Sequence, residues 1–374
     1  MLIRSQNVLM NQLALDDVAY ITEEIDANMN RSRVQPGDVL LNITGASIGR
    51  VTAFDLKNIR ANVNQHVCVI RPKSNILFGR YLAHFLSSPE FQAEIDRIQH
   101  GGTRQALTFS QIADFQIPLL PLMEQQRIAQ ILDKAEALRA KRSAALPRLD
   151  TLTQSIFLEL FGDPKLNQKK WPTHRIGSVI SEMHGGASLK PEDFVDSGFP
   201  ILHKGAIKPN GGVTLDLKKK TFATSEYAAA NRKSQVDRRF LAVTLRDLIP
   251  TGPSIGLVAD LRDGPCDKYL LAQGAYGFLL KPEMVVPEYL VYLSNMPNFR
   301  HVLRQNSVGS TQIHIRTPIY LEIQIPLPPI ELQREFADQI ATVQRIKTAQ
   351  QESSLELDAL FGSIQERAFS GALL

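Results

Sequence analysis

The chain is poor in cysteine, in long apolar runs and in catalytic signatures, and each shortage removes a class of protein. Only Cys68 and Cys266 occur in 374 residues, far apart and in unlike contexts, so no disulfide framework is expected and a reducing cytoplasm is the natural setting. No charged segment followed by an apolar stretch opens the chain, and no apolar run approaches the roughly 20 residues that cross a bilayer, so a soluble protein without a membrane partner is expected. Absent too are a phosphate-cradling Gly-x-x-x-x-Gly-Lys loop, a Gly-x-Ser-x-Gly elbow, an Asn-Pro-Pro-Tyr-like motif for amino-group methylation and a pair of histidines at metal-ligand spacing. Glu192, Asp193 and Asp196 lack the lysines of a nuclease cluster and read as a solvated loop. Both cysteines read as core or surface thiols, and His66, His203 and His314 as lone structural histidines. Neither a catalytic residue nor a metal ligand is expected.

What remains supports folded domains. The hydrophobic fraction is 44%, enough for real cores, and the length suits two domains better than one. The formal charge of +4 is modest, but Lys218-Lys219-Lys220, Arg232-Lys233 and Arg238-Arg239 concentrate it in the second half. That concentration serves either as a solvated surface or as a face that tracks phosphates.

One peptide occurs twice. Phe115-Gln116-Ile117-Pro118-Leu119-Leu120-Pro121 returns as Ile323-Gln324-Ile325-Pro326-Leu327-Pro328-Pro329, a displacement of 208 positions. The same displacement then maps Gln125 on Gln333, Ala129 on Ala337, Leu149-Asp150 on Leu357-Asp358 and Phe161 on Phe369. Upstream the copies drift, yet Thr44-Gly45-Ala46-Ser47-Ile48-Gly49 answers to Thr251-Gly252-Pro253-Ser254-Ile255-Gly256, and Tyr81-Leu82 to Tyr289-Leu290. The unit is too large for a solenoid repeat, so two similar domains are expected.

The expected fold class is α+β, with mainly antiparallel strands in each domain. Short β-rich runs such as Val39-Leu40-Leu41 and Val67-Cys68-Val69-Ile70 are set off by Gly-containing turns, and helices are predicted at Gly79 to Leu86 and Pro287 to Ser294. From Met123 the pattern changes to a heptad seam: Ile128, Ile131, Ala135, Leu138, Arg142, Ala145, Leu149, Leu152 and Ile156. The second copy offers Phe336, Val343, Ile346, Leu357, Leu360 and Ile364, with Gln339, Gln350 and Ser353 between them. Prolines precede both helices, where the first turn tolerates them, and Gly162-Asp163-Pro164 ends the first. The divisions predicted are therefore 1–118, a first domain; 119–163, a long helix; 164–326, a second domain; and 327–374, a second long helix. Leu122 to Phe161 would form a rod of roughly 60 Å. Each rod must bury its seam either on its own domain or, as its narrow stripe and length favour, against the other rod. An antiparallel pair would hold the domains apart and bring Arg142 near Gln350.

Polar loops recur at matching places in both copies. The first offers Arg4, Ser5, Gln6 and Asn7, then Thr44, Ser47 and Arg50, then Thr103, Arg104 and Gln105. The second offers His203, Lys204 and Lys208, then Thr251 and Ser254, then Ser310, Thr311 and Gln312. Arg, Gln and Asn suit bidentate contacts to base edges, and Gly and Ser let a backbone approach phosphates. The same residues also suit plain hairpin turns.

The run Phe115 to Phe161, with its Ile-Pro-Leu-Leu-Pro opening, Glu124-Gln125-Gln126 helix start and Phe161-Gly162-Asp163-Pro164 exit, resembles the central conserved region of the specificity subunits of type I restriction-modification systems. Ile323 to Phe369 resembles their distal one. The resemblance implies two target recognition domains, each reading half of a bipartite site in double-stranded DNA, held apart by an antiparallel coiled coil that docks two methyltransferase subunits. Restriction subunits would join through the assembled complex. S-adenosylmethionine, ATP and Mg would then be needed only by those partners, leaving this chain without a cofactor. One departure stands out: Trp171 to Pro200 precede Ile201-Leu202-His203, whereas only Met1 and Leu2 precede Ile3-Arg4. The first domain is therefore expected to be shortened at its start and to leave an exposed sheet edge. The residues alone also fit a coiled-coil scaffold with protein-binding ends, or an enzyme with an unfamiliar site. DNA binding that keeps its sequence preference in salt would separate the first reading from the scaffold, and methyl transfer by the chain alone would favour the enzyme.

Overall fold

A computed structural model describes residues 1–99, 106–217 and 221–370. The chain forms two compact units, Met1–Leu146 with Ala349–Leu374, and Pro147–Thr348. Both divisions fall inside the long helices, Leu122–Phe161 and Ile330–Phe369. Each unit is thus a globular α+β domain with half of each helix packed into it, rather than a domain beside a separate helical module.

The first unit is built on two small sheets. One has the order Leu2–Ile3, Ala61–Val63, Arg33–Val34, its first pair parallel and its second antiparallel. The other is antiparallel, Val51–Phe54, Asp38–Asn42, Val67–Ile70. Strand Asp38–Asn42 is buried along its whole length because both of its faces are covered. Val39 and Leu41 point into the core under helix Gly79–Leu86, and Leu40 points into the core shared with the other sheet, as a period of two requires. Its polar ends are tied to the surrounding chain: Asp38 accepts two bonds from Arg71, both of 2.7 Å, and Asn42 Nδ2 donates to Ser5 O at 2.8 Å. Gly79 begins its helix against the carbonyl of Gly37, where a Cβ would collide.

The second unit repeats both sheets and enlarges them. Phe222–Ala223, Phe199–Leu202, Lys268–Leu271 and Gln235–Asp237 form one; Val258–Asp260, Leu241–Thr244, Ala275–Leu280 and Ile180–Gly185 form the other. The added antiparallel strand Ile180–Gly185 covers Ala275–Leu280, whereas the matching strand Val67–Ile70 has a single partner among the described residues. Among the described residues Val67–Ile70 thus forms a sheet edge.

The repeated peptide docks helix to domain identically in both units. Tyr81 Oη donates to Pro118 O at 3.0 Å, and Tyr289 Oη to Pro326 O at 2.6 Å. Gln125 is fully buried: its Oε1 accepts from Phe78 N at 2.8 Å, and its Nε2 donates to Ile76 O and Leu120 O at 2.9 and 2.8 Å. Gln333, also fully buried, repeats this with Val286 N at 2.9 Å, Met284 O at 3.2 Å and Pro328 O at 2.8 Å. A glutamine here closes the loop that launches the preceding helix.

The long helices run antiparallel in each unit. In the first, Ile128, Ala129 and Leu132 pack with Phe361 and Ala368, and Arg139 pairs with Asp358 at 2.6 Å. In the second, Phe157 and Phe161 meet Phe336 edge to face, and Lys347 pairs with Asp150 at 2.6 Å. Those two ion pairs occupy matching positions of the repeat. Arg142 Nη1 donates to Gln350 Oε1 at 3.3 Å, within the first unit, as their mid-helix positions predict.

The seam corrects the expected register by one residue at every second step. Ile128, Ala135, Leu149, Ile156, Phe336, Val343, Leu357 and Ile364 lie on the buried or half-buried stripe as expected, and Ile131 and Ala145 are half-buried. Leu138, Leu152, Ile346 and Leu360 instead face solvent, 53%, 45%, 47% and 55% exposed. The stripe runs through Leu132, Arg139, Leu146 and Thr153, and through Ile340, Lys347, Ser354 and Phe361. A choice by hydrophobicity rejects Arg139 and Lys347, yet their aliphatic stems fill the seam while their charged ends reach a carboxylate across it. The first helix also continues through Pro147, an interior proline that the heptad pattern did not reveal.

Candidate nucleic-acid interface

In the first unit the strand Leu2–Ile3 ends in a tight turn, Ser5–Asn7, whose carbonyl at Ser5 is held by Asn42. Asn7 is 2% exposed, and its side chain accepts from Arg4 N at 2.9 Å and donates to Ala14 O and Asp17 O at 3.0 and 3.1 Å. All its polar atoms are spent inside the turn, so Asn7 is a brace rather than a base reader. Arg4 and Gln6 both reach Asp17, at 3.3 and 2.8 Å, leaving Gln6 exposed and Arg4 half-buried. After strand Asp38–Asn42, Thr44 precedes the turn Gly45–Ser47 that contains Ser47; both are half-buried, and Arg50 is exposed. Thr44 Oγ1 lies 2.6 Å from His66 Nδ1. Thr103, Arg104 and Gln105 fall outside the described residues, as do Lys218 to Lys220 of the basic run.

The second unit places the matching turn, Lys204–Ala206, after Phe199–Leu202. Burial, and then the Lys208 ammonium, push the His203 imidazole below its ordinary value. Burial also pushes the Lys204 ammonium down, and Arg246 adds to that while Asp247 opposes it. Lys204 therefore shares its surroundings with the following loop. Lys208 donates to Gly205 O at 2.8 Å. Ser310, Thr311 and Gln312 are exposed, as is Thr251. Asp247, buried, accepts from Ser254 N at 2.7 Å, Ser254 Oγ at 2.5 Å and Ile249 N at 3.1 Å. Burial raises its pKa, but these donors more than offset that and hold it below the usual carboxylate range. Ser254 is thus a loop fastener as well as a surface group.

Backbone bonds fix how the two loops correspond. Ile43 N donates to His66 O and Leu107 N to Ile43 O; likewise Leu245 N donates to Gly274 O and Ile315 N to Leu245 O. Thr44 bridges Ala106, and Arg246 bridges His314. Thr44 therefore corresponds to Arg246, and His66 to Gly274. The loop is longer in the second copy: Thr44 is followed at once by Gly45, whereas Gly252 comes six positions after Arg246. Sequence matching by Thr-Gly passed over Arg246 for this reason. His66, read as a lone structural histidine, is one half of this polar pair.

The sequence pattern of the type I restriction modification DNA specificity domain matches twice, at residues 7–148 and 168–357. The chain is 24% identical over 357 residues to the type I restriction enzyme MjaVIII specificity subunit of Methanocaldococcus jannaschii, covering 91% of this chain and 79% of that protein. It is 22% identical to the EcoKI specificity subunit of Escherichia coli strain K12, covering 100% of this chain and 82% of that one. In fold it is similar to a chain from a structure of the type I R-M system, with a TM-score of 0.58 at 20% identity over 91% of this chain and 83% of that one. It is similar also to the type I restriction-modification S subunit from M. genitalium, with a TM-score of 0.54 at 16% identity, over 89% and 83%. With two matched domains, a repeated α+β scaffold and paired long helices, the chain belongs to the type I restriction-modification DNA specificity family, as its non-catalytic, sequence-specifying subunit.

Proposed function

We propose that each unit reads one half of a bipartite sequence in double-stranded DNA, and that the chain docks two methyltransferase subunits, with restriction subunits joining the assembled complex. The observation that carries this reading is a scaffold whose two sheets recur in both units and that presents different side chains at matching places: Arg4, Ser5 and Gln6 against His203, Lys204 and Gly205, and Thr44 with His66 against Arg246. A repeat kept in its backbone and varied in its loops suits two readers of different short sequences. S-adenosylmethionine, ATP and Mg are assigned to the partners. Among the described residues no helix is long and apolar enough to cross a membrane, and we place the complex in the cytoplasm, where chromosomal DNA is met.

The test combines the purified chain with its methyltransferase partner. Adenine methylation at a split site is expected from the mixture and none from the chain alone. Methylation by the chain alone, or by the mixture without a split motif, would refute the reading. DNA binding with no sequence preference at raised salt would favour a scaffold instead, since the non-specific component weakens steeply with ionic strength.

A further inference from the structure

We infer that Arg246 is the residue with which the second unit reads a guanine, and that Gln312 positions it; this rests on the proposed function. Arg246 begins the short strand Arg246–Asp247, which pairs antiparallel with Ile313–His314, so its backbone is fixed by a ladder rather than left to a free loop. The next residue, Asp247, anchors the strand through three accepted hydrogen bonds. The stem of Arg246 lies over Gly274: a Cβ there would stand 3.0 Å from Arg246 Cβ and 3.7 Å from its Cδ. Beyond the stem, Nη2 donates to Gln312 Oε1 at 2.7 Å, which holds one prong of the guanidinium. Of the other arginines in this unit, Arg238 pairs with Asp267, Arg239 with Asp237, and Arg262 with Asp260 and Glu288, while Arg300 spends its Nη2 on the carbonyls of Pro253 and Ile255. Arg246 has no carboxylate within ion-pair distance among the described residues. A half-buried cation with its stem fixed, one donor held and the rest of its fork unspent can offer two parallel donors to a guanine O6 and N7. Lysine could not supply that planar fork.

The matching position of the first unit has other chemistry. There Thr44 stands for Arg246 and His66 for Gly274, and His66 Nδ1 is taken by Thr44 Oγ1. This pair offers no fork, so the first unit does not read guanine from this position.

Methylation mapping of the chain with its methyltransferase partner tests the assignment, using the parent, Arg246→Ala, Arg246→Lys, Gln312→Ala and Thr44→Ala. The parent motif should contain a guanine in the half-site that belongs to the second unit. Arg246→Ala and Arg246→Lys should both relax that one base, by roughly 5- to 150-fold, the discrimination of a bidentate contact. Gln312→Ala should weaken the same preference without changing the base, and Thr44→Ala should leave that half-site intact. A second half-site without guanine would overturn the inference. So would a preference unchanged in Arg246→Ala, or an equal loss over all sequences, which marks a phosphate contact. A parent complex that methylates no split motif would instead refute the proposed function. Unaltered thermal unfolding of Arg246→Lys separates lost reading from lost folding.

Discussion

Replacing Gln333 with alanine should unfasten the second domain from its long helix. The side chain is fully buried and satisfies three backbone groups, Val286 N, Met284 O and Pro328 O. An unsatisfied buried group costs about 1–3 kcal/mol, and three would set a ceiling near 9 kcal/mol if nothing relaxed. Water entry and movement of the loop lower this, and a loss of about 3–5 kcal/mol is expected. Urea unfolding of the full-length chain measures it. Gln125→Ala should cost a similar amount, because its partners repeat at the same places. Gln344→Ala, an exposed glutamine of the same helix, should change stability by less than about 0.5 kcal/mol. A loss below about 1 kcal/mol for both Gln125→Ala and Gln333→Ala would refute the claim that these glutamines brace the docking.

The corrected seam predicts that Phe361→Ala, which empties a site packed against Ile128 and Leu132 and covered by Arg139 at 4.4 Å, costs about 3–5 kcal/mol. Leu360→Ala, next door and exposed, should cost under about 0.5 kcal/mol, and similar costs for the two in thermal unfolding would restore the register that hydrophobicity alone suggests. Asp247→Ala should destabilise by about 1–3 kcal/mol by orphaning the Ser254 and Ile249 donors. Because the folded pKa of Asp247 lies below its unfolded value, this contribution is present above the usual carboxylate pKa of about 3.9 and is lost as pH falls through the folded value. Parent and variant stabilities, measured against pH, should converge in acid, and a constant difference down to the lowest pH would contradict the assignment. Substituting leucine for both Arg142 and Gln350 should raise the melting temperature while permitting wrong pairings, seen as concentration-dependent self-association in sedimentation; a more stable variant that stays uniformly paired would show that these residues do not set register.

Much of this architecture is legible in the sequence because it is periodic or repeated. The 208-residue displacement, the helices at Leu122–Phe161 and Gly79–Leu86 and the meeting of Arg142 with Gln350 all follow from spacing. Half of the seam did not, since burial depends on what lies opposite: Arg139 and Lys347 are admitted by Asp358 and Asp150, and a single helix read alone shows neither partner. Asn7 looked like a reader because its residue type suits one, and only its bonds inside the turn show that its donors and acceptors are spent. The pairing of Thr44 with His66, and the equivalence of Thr44 to Arg246, come from hydrogen bonds between strands distant in sequence. The longer loop of the second copy hides that equivalence from any alignment of motifs.

The proposed function requires that the two units read their half-sites independently. Replacing Trp171 to Gln324 with the matching region of a related specificity subunit, then mapping adenine methylation by the assembled complex, tests it most directly. One half of the methylated motif should change and the other should stay as it was; a motif altered in both halves, or in neither, would contradict it.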